Sequence, residues 1–169
     1  PEFGQVEKLV DTANLTIGSS SAIFACGAAR LGLNVAFIGV CGDDVFGRFM
    51  LDEMSKRNVD IGNVIIHPNE STGLSVILNQ GSDRAILTHS GLIPELQASD
   101  IPDSLLTRSH HLHVASYFLQ TKLQPDLPTL FQRAHALGLT TSLDTNYDPS
   151  EQWLGFDELP SVTDVFLPT

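Results

Sequence analysis

Hydrophobic and polar residues change period several times along this chain. Val35 to Val40, VAFIGV, is a short unbroken apolar run after a turn at Gly32, the pattern of a strand buried on both faces of a parallel sheet. Similar short runs begin at Leu112 (LHVA), Thr140 (TTSL) and Asp164 (DVFL). Between them the period lengthens. Phe46, Phe49, Met50 and Met54 recur at helical spacing, as do Leu127, Leu130, Phe131, Ala134 and Leu137, with Gly138 placed as a helix stop. An earlier helix follows LTIGSSS, and its stripe of Ala22, Ala25, Cys26 and Ala29 predicts close packing on a sheet. Strands alternating with helices imply a doubly wound, mostly parallel α/β layer structure.

The stretch from Asn63 to Gly91 breaks this rhythm. Leu74, Val76 and Leu78 alternate with Ser75, Ile77 and Asn79, and the loop NQGSD separates that strand from RAILTH, which predicts an antiparallel hairpin. KLVDTANLTI near the start is expected to add a strand or two to it. The resulting division is an α/β core over residues 18–62 and 91–169, with lid strands within about 5–17 and 63–90 roofing a ligand cleft.

Composition narrows the partners. The 169 residues, 42% hydrophobic and 17% charged, suit one main globular unit, and no apolar run approaches the length of a membrane span. Nine Lys and Arg against twenty Asp and Glu give a net charge of -11, which repels nucleic acid and anionic lipid. A small neutral or locally captured substrate is expected. The N-terminus lacks the basic and apolar segments of a secretory signal, and its Pro-Glu-Phe start reads as a scar or an internal boundary, so a cytoplasmic location is expected. Cys26 and Cys41 then read as reduced, buried thiols. The sequons at Asn14 and Asn69 carry no weight there.

The loop before the first helix matches neither a dinucleotide fingerprint nor a nucleotide P-loop, having no Gly-x-Gly-x-x-Gly and no Lys-Ser or Lys-Thr after Gly18. Gly18, Ser19, Ser20 and Ser21 at a helix start either cap the helix or donate to a ligand. In GVCGDDVFG, Gly42, Asp43 and Asp44 precede the next helix, where at least one aspartate serves as its cap. SLDTNYDP sets Asp144, Asn146 and Asp148 after a strand, as a hydroxyl-orienting group, a metal site or an Asx turn. His111 and His113 share one strand face, but no third metal ligand is identifiable by spacing, and Tyr117 and Phe118 are either a sugar-stacking platform or core aromatics. Ligands of an open parallel sheet sit beyond the carboxyl ends of its strands. Gly42 with Asp43, Ser116 with Tyr117, Asp144 with Asn146, and Pro168 with Thr169 all follow predicted strands, so one rim is expected to collect them.

GSSSAIFACGAARLG, VAFIGVCGDDVFG, NESTGLSVILN, THSG and SLDTNYDP occur in an order that resembles the ribokinase-like, or PfkB-type, carbohydrate kinases across nearly the whole chain. The resemblance implies an α/β fold with a β-sheet lid and transfer of the ATP γ-phosphoryl group to a sugar or nucleoside hydroxyl, with Mg²⁺ in the complete enzyme. It places Gly18 and Ser19 where the family's Gly-Gly pair approaches the sugar, and Ile23 where many members carry a sugar-binding asparagine. Ser20, Ser21 or Asn146 would then supply the hydroxyl contacts, and Arg84 in the hairpin would meet an acidic substituent. The expected sugar-binding set is therefore Gly18, Ser19, Ser20, Gly42, Asp43, Arg84, Tyr117, Asp144 and Asn146, with no metal ligand. Against the family pattern the chain reads as truncated at both ends, because the first strand's sugar-gripping aspartate and the Gly-Ala-Gly-Asp stretch with its catalytic base do not occur in it. The isolated chain is accordingly expected to bind no ATP or Mg²⁺ tightly and to transfer phosphate negligibly. Two other readings compete: a non-catalytic sugar-binding or assembly module that forms a homodimer through its lid strands, and a histidine-metal hydrolase.

Overall fold

The structure is a computed structural model and describes residues 4–168. Thr169 and the Pro-Glu-Phe start lie outside the described residues. Parallel strand pairs with helices against them make up the body, and one antiparallel hairpin stands apart.

The apolar run at Val35 forms two short strands, β1 (Val35–Ala36) and β2 (Val40–Gly42), where one was expected. The cause lies in their neighbours. β3 (Val59–Asp60) pairs with β1 and β4 (Ile65–His67) with β2, both in parallel, but residues 61–64 turn out between them. Phe37 N donates to Asp60 O and Ile65 N to Gly39 O, leaving Ile38 between the two ladders. Burial on both faces is also partial. Val35 and Phe37 pack against one apolar cluster, while Ile38 and Val40 pack against the other.

Helix α1 (Ser20–Arg30) and helix α2 (Val45–Ser55) cover the smaller cluster, which Ala22, Ala25, Cys26, Met54 and Val59 form. The expected small-residue stripe does seat α1 closely. The larger cluster lies around a helix that we call α4 (Leu127–Ala136), after the single turn α3 (Asp103–Leu106); Leu127, Leu130, Phe131 and Ala134 are fully buried there. Gly138 ends that segment at φ +87, a conformation only glycine adopts without strain.

Two further strands, β7 (His111–Val114) and β8 (Thr140–Asp144), follow the hairpin strands described below and pair in parallel, with β9 (Val165–Leu167) outside β8. Thr141, Ser142 and Leu143 in β8 are buried, whereas all three residues of β9 are exposed, as suits an edge position.

The hairpin is β5 (Leu74–Gln80) with β6 (Asp83–His89), in register from Leu74 opposite His89 to Gln80 opposite Asp83. Its ladder runs further into NQGSD than the sequence suggested, because Gly81 at φ +59 allows a tight two-residue turn. Leu74, Val76, Leu78, Ala85 and Leu87 share one face. Residues 5–17 add no strand to the hairpin, contrary to expectation. Only Ile17 of that segment packs against a cluster, and Leu9 and Val10 stand 93% and 76% exposed.

The hairpin's root is tightly built. Asp44, N-cap of α2, accepts from Phe46 N at 3.0 Å and Gly47 N at 2.8 Å through Oδ1. The same carboxylate takes Thr72 Oγ1 at 2.9 Å and Thr72 N at 2.7 Å, while Gly42 N donates to Thr72 Oγ1 at 2.9 Å. Leu92 N closes the other leg on Ser71 O at 3.1 Å. A Cβ at Gly42 would lie 2.1 Å from Glu70 O, and one at Gly91 2.4 Å from Ser71 O.

Candidate functional site

Ser20 opens α1, Ser116 follows β7 and Asn146 follows β8, three positions far apart in the chain. Folding brings them into one hydrogen-bonded cluster: Ser20 Oγ lies 2.6 Å from Ser116 Oγ, and Asn146 Nδ2 donates to Ser20 Oγ at 2.8 Å and to Ser116 Oγ at 3.1 Å. The backbone is unusual at the same place. Ser19 at φ 62, Ser116 at φ 58 and Asn146 at φ 55 all occupy the left-handed side of the map, where non-glycine residues are uncommon and concentrate at ligand sites.

These geometries follow from local chemistry only in part. Asn146 tolerates a positive φ and its amide donates to Asp144 Oδ1 at 3.1 Å, so the Asx turn is present. Ser19 and Ser116 have no such turn; the contact between Ser20 Oγ and Ser116 Oγ ties the two segments together. Ser19, at the N-cap position, makes no capping hydrogen bond, so of the two alternatives read from the sequence its side chain does not take the capping one. At φ 62 and ψ 123 the residue lies outside the extended conformation typical of an N-cap. The first amides of α1 are left to water or to a ligand beside Gly18.

The remaining expected residues fall elsewhere or serve other ends. Tyr117 is 3% exposed and donates from its hydroxyl to Gly155 O at 2.7 Å, within a group of rings that includes Phe118 and Phe156. It is a core aromatic, and its neighbour Ser116 reaches the cluster. Asp148 holds its own loop, accepting from Ser150 N, Gln152 N and Trp153 N. Burial pulls its carboxyl upward, but those hydrogen bonds prevail and hold it below the ordinary value. Asp43 is exposed and bound by Arg48 at 2.5 Å, and Gly42 lies at the root of the hairpin rather than in the cluster. Arg84 projects from exposed β6, opposite Asn79 near the turn.

The sequence places Ser116 after a strand on the expected rim, where the structure has it, but its left-handed backbone has no sequence signal. A cleft of about 340 Å³ lined by Trp153, Phe156, Thr145, Pro160, Phe166 and Pro168 was not foreseen. Aromatic residues after SLDTNYDP were the available hint.

Asp144 and Asn146 do not make a metal centre with their neighbours. Among the described residues no three His, Cys, Asp or Glu are arranged to hold a metal. No helix among them is long and apolar enough to cross a membrane.

The sequence profile described as pfkB family carbohydrate kinase matches residues 4–169. The chain is 26% identical over 155 residues to the 2-dehydro-3-deoxygluconokinase of Bacillus subtilis, covering 88% of this chain and 48% of that one. It is 31% identical over 135 residues to a fructokinase of Klebsiella pneumoniae, covering 76% and 43%. Among solved structures, a fructokinase with bound ATP from Xylella fastidiosa superposes with a TM-score of 0.79 at 23% identity, over 96% of this chain and 55% of that one. An apo structure from E. coli described as a putative ribokinase II gives 0.78 at 22% identity, over 97% and 57%. These likenesses establish the ribokinase-like fold. The chain spans about half the length of the relatives it matches.

Proposed function

The chain belongs to the pfkB family of carbohydrate kinases, and from that premise we propose that it is the sugar-binding and lid portion of an ATP-dependent kinase that phosphorylates a sugar hydroxyl. The observation that carries this reading is the Ser20–Ser116–Asn146 cluster, where three backbone positions of positive φ meet. Its groups satisfy one another without a ligand, and a sugar hydroxyl can enter by exchanging one hydrogen bond for another at small net cost. Gly18 and the amides of α1 would donate to neighbouring hydroxyls, and Asp144 would fix the turn that presents Asn146. The lid supplies cover, with Asp43 at its root and Arg84 near its tip as proposed sugar contacts in the closed state.

Phosphoryl transfer needs nucleotide walls and a base at the attacking hydroxyl. No Gly-Ala-Gly-Asp stretch occurs in the 169 residues, and we propose that this chain by itself binds sugar weakly and moves no phosphate. A cytoplasmic location belongs to the same reading, supported by Cys26 and Cys41, both free and buried.

Amide NMR of the chain titrated with D-fructose and with 2-dehydro-3-deoxygluconate tests the site. Shifts centred on residues 18–20, 116 and 144–146 are expected, with a dissociation constant on the order of 1–10 mM. Asn146→Ala should weaken binding about tenfold, the effect of one lost polar contact of about 1.4 kcal/mol. Shifts elsewhere, or none with either sugar, overturn the assignment. ATP consumption in the same samples should equal the blank.

One observation favours a second reading, a module that dimerises through its lid: Val76 and Leu87, adjacent on one hairpin face, are 48% and 60% exposed. Sedimentation equilibrium decides it. A monomer at NMR concentrations removes this reading, and a dimer dispersed by Leu87→Lys supports it.

A further inference from the structure

The histidine pair on β7 is not used by the proposed sugar site, yet its two rings share one buried hydroxyl. His111 Nδ1 lies 2.7 Å from Thr140 Oγ1, His111 Nε2 lies 2.7 Å from Ser142 Oγ, and His113 Nδ1 lies 2.7 Å from that same Ser142 Oγ. The register puts Thr140 beside His111 and Ser142 beside His113, so one sheet face carries the whole chain of contacts. Ser142 is 5% exposed. On α1, Phe24 stacks on His113 with ring centroids 3.8 Å apart, one helical turn from Ser20.

We infer that His111, Ser142 and His113 are one proton-sharing unit, which takes up a single proton as a pair and links it through Phe24 to the seating of α1. The link to sugar affinity rests on the function proposed above; the shared proton does not.

Hydrogen-bond accounting gives the reason. With both rings neutral, Ser142 donates its one hydroxyl hydrogen to one imidazole nitrogen and accepts from the N–H of the other. One proton from water converts either ring to imidazolium, whose N–H donates to Oγ while Ser142 donates to the ring that stays neutral. Every contact survives. A second proton leaves two N–H groups aimed at one oxygen, the serine hydrogen without its acceptor, and two cations flanking a buried hydroxyl. The pair therefore titrates in two widely separated steps that belong to it jointly.

The surroundings set the direction. Burial lowers the pKa of His111 below the ordinary 6.5, opposed by Asp164. Burial does the same to His113, opposed by Asp144 and reinforced by His111. From α4, His135 contacts that Asp164 at 2.9 Å, and His110, next to His111 in sequence, is exposed. Because the folded chain binds fewer protons than the unfolded chain just below pH 6.5, stability rises with pH through that window and falls as acid enters it.

Histidine ring NMR from about pH 8 to pH 5.5 tests the unit in the intact chain, with His111→Gln and His113→Gln giving the assignments. His111 and His113 signals should move together with a combined uptake of one proton, and Phe24 and Ser20 amides should follow the same midpoint. Ser142→Ala, a near-isosteric change, should split the pair into two separate titrations. His113→Gln should leave His111 titrating alone with a shifted midpoint. Independent curves that Ser142→Ala does not alter overturn the shared proton. Joint titration with unmoved α1 amides overturns the link to α1. If sugar binds with the same affinity across the midpoint, the coupling to the site is overturned while the unit stands; if no sugar binds, the ring and amide shifts still decide the unit.

Discussion

Replacing Gly47 by alanine is expected to destabilise the chain by about 2–3 kcal/mol, the range for forcing an atom into a packed site. Helix propensity argues the reverse, since alanine is favoured over glycine inside a helix by about 1 kcal/mol. Packing decides the sign. A Cβ at Gly47, in the first turn of α2, would lie 2.1 Å from Gly42 O and 2.8 Å from Thr72 Oγ1, so backbone on the β2 side has to retreat. In a chain of this size the loss lowers the melting temperature by about 5–10 °C. Thermal unfolding followed by circular dichroism measures it, and an unchanged or raised midpoint would show that the α2–β2 approach is looser than described.

Asp44→Ala attacks the same knot from its polar side, and a loss of about 3 kcal/mol is expected. The missing cap accounts for about 1 kcal/mol. The Thr72 amide, left without its carboxylate, accounts for about 1–3 kcal/mol more. Thr72 is 7% exposed, so water does not readily replace the lost partner. The hairpin should respond beyond this global effect, because Thr72 is the last residue but one before β5. Faster hydrogen exchange at Val76 and Leu87 than at Leu130 and Phe131, relative to the unmodified chain, is the expected signature. Equal acceleration at all four positions would mean that Asp44 merely stabilises the body.

The pH dependence has a definite sign. Partial burial raises the Asp44 carboxyl, but donors at Gly47, Thr72 and Phe46 outweigh it and hold the group below its usual value of 3.8. Its contribution is complete above that value and is lost as pH falls through the lower folded one. Asp44→Ala should therefore flatten the acid limb of the stability profile. It should leave the histidine window nearer pH 6.5 unchanged.

Much of the body was legible because burial imposes a period. The apolar positions of α2 and α4 and the small stripe of α1 appear in the sequence as they appear in the fold, whereas the hairpin was legible from its alternation and turn residues although β5 stands exposed on both faces after Leu74. Departures arose where a distant neighbour decided. Val35 to Val40 looked like one strand, and the turn at residues 61–64 of its partner divides it. Residues 5–17 have strand-like composition, but no apolar surface meets Leu9 or Val10. Tyr117 reads from the sequence as either a sugar-stacking platform or a core aromatic, and its burial against Phe118 and Phe156, with its hydroxyl on Gly155 O 38 residues away, decides for the core.

The linear order of motifs determined the family and the α/β class, since glycines at close approaches, helix periods and strand runs are local properties of a chain. Tertiary structure alone decided which polar groups share a place. Ser20 and Asn146 are 126 residues apart in sequence yet hydrogen-bonded at 2.8 Å, and the positive φ of Ser116 leaves no mark on residue choice. Hydrogen bonds act over a few ångströms whatever the separation in sequence, so the site exists only once the helix has been laid on the strands.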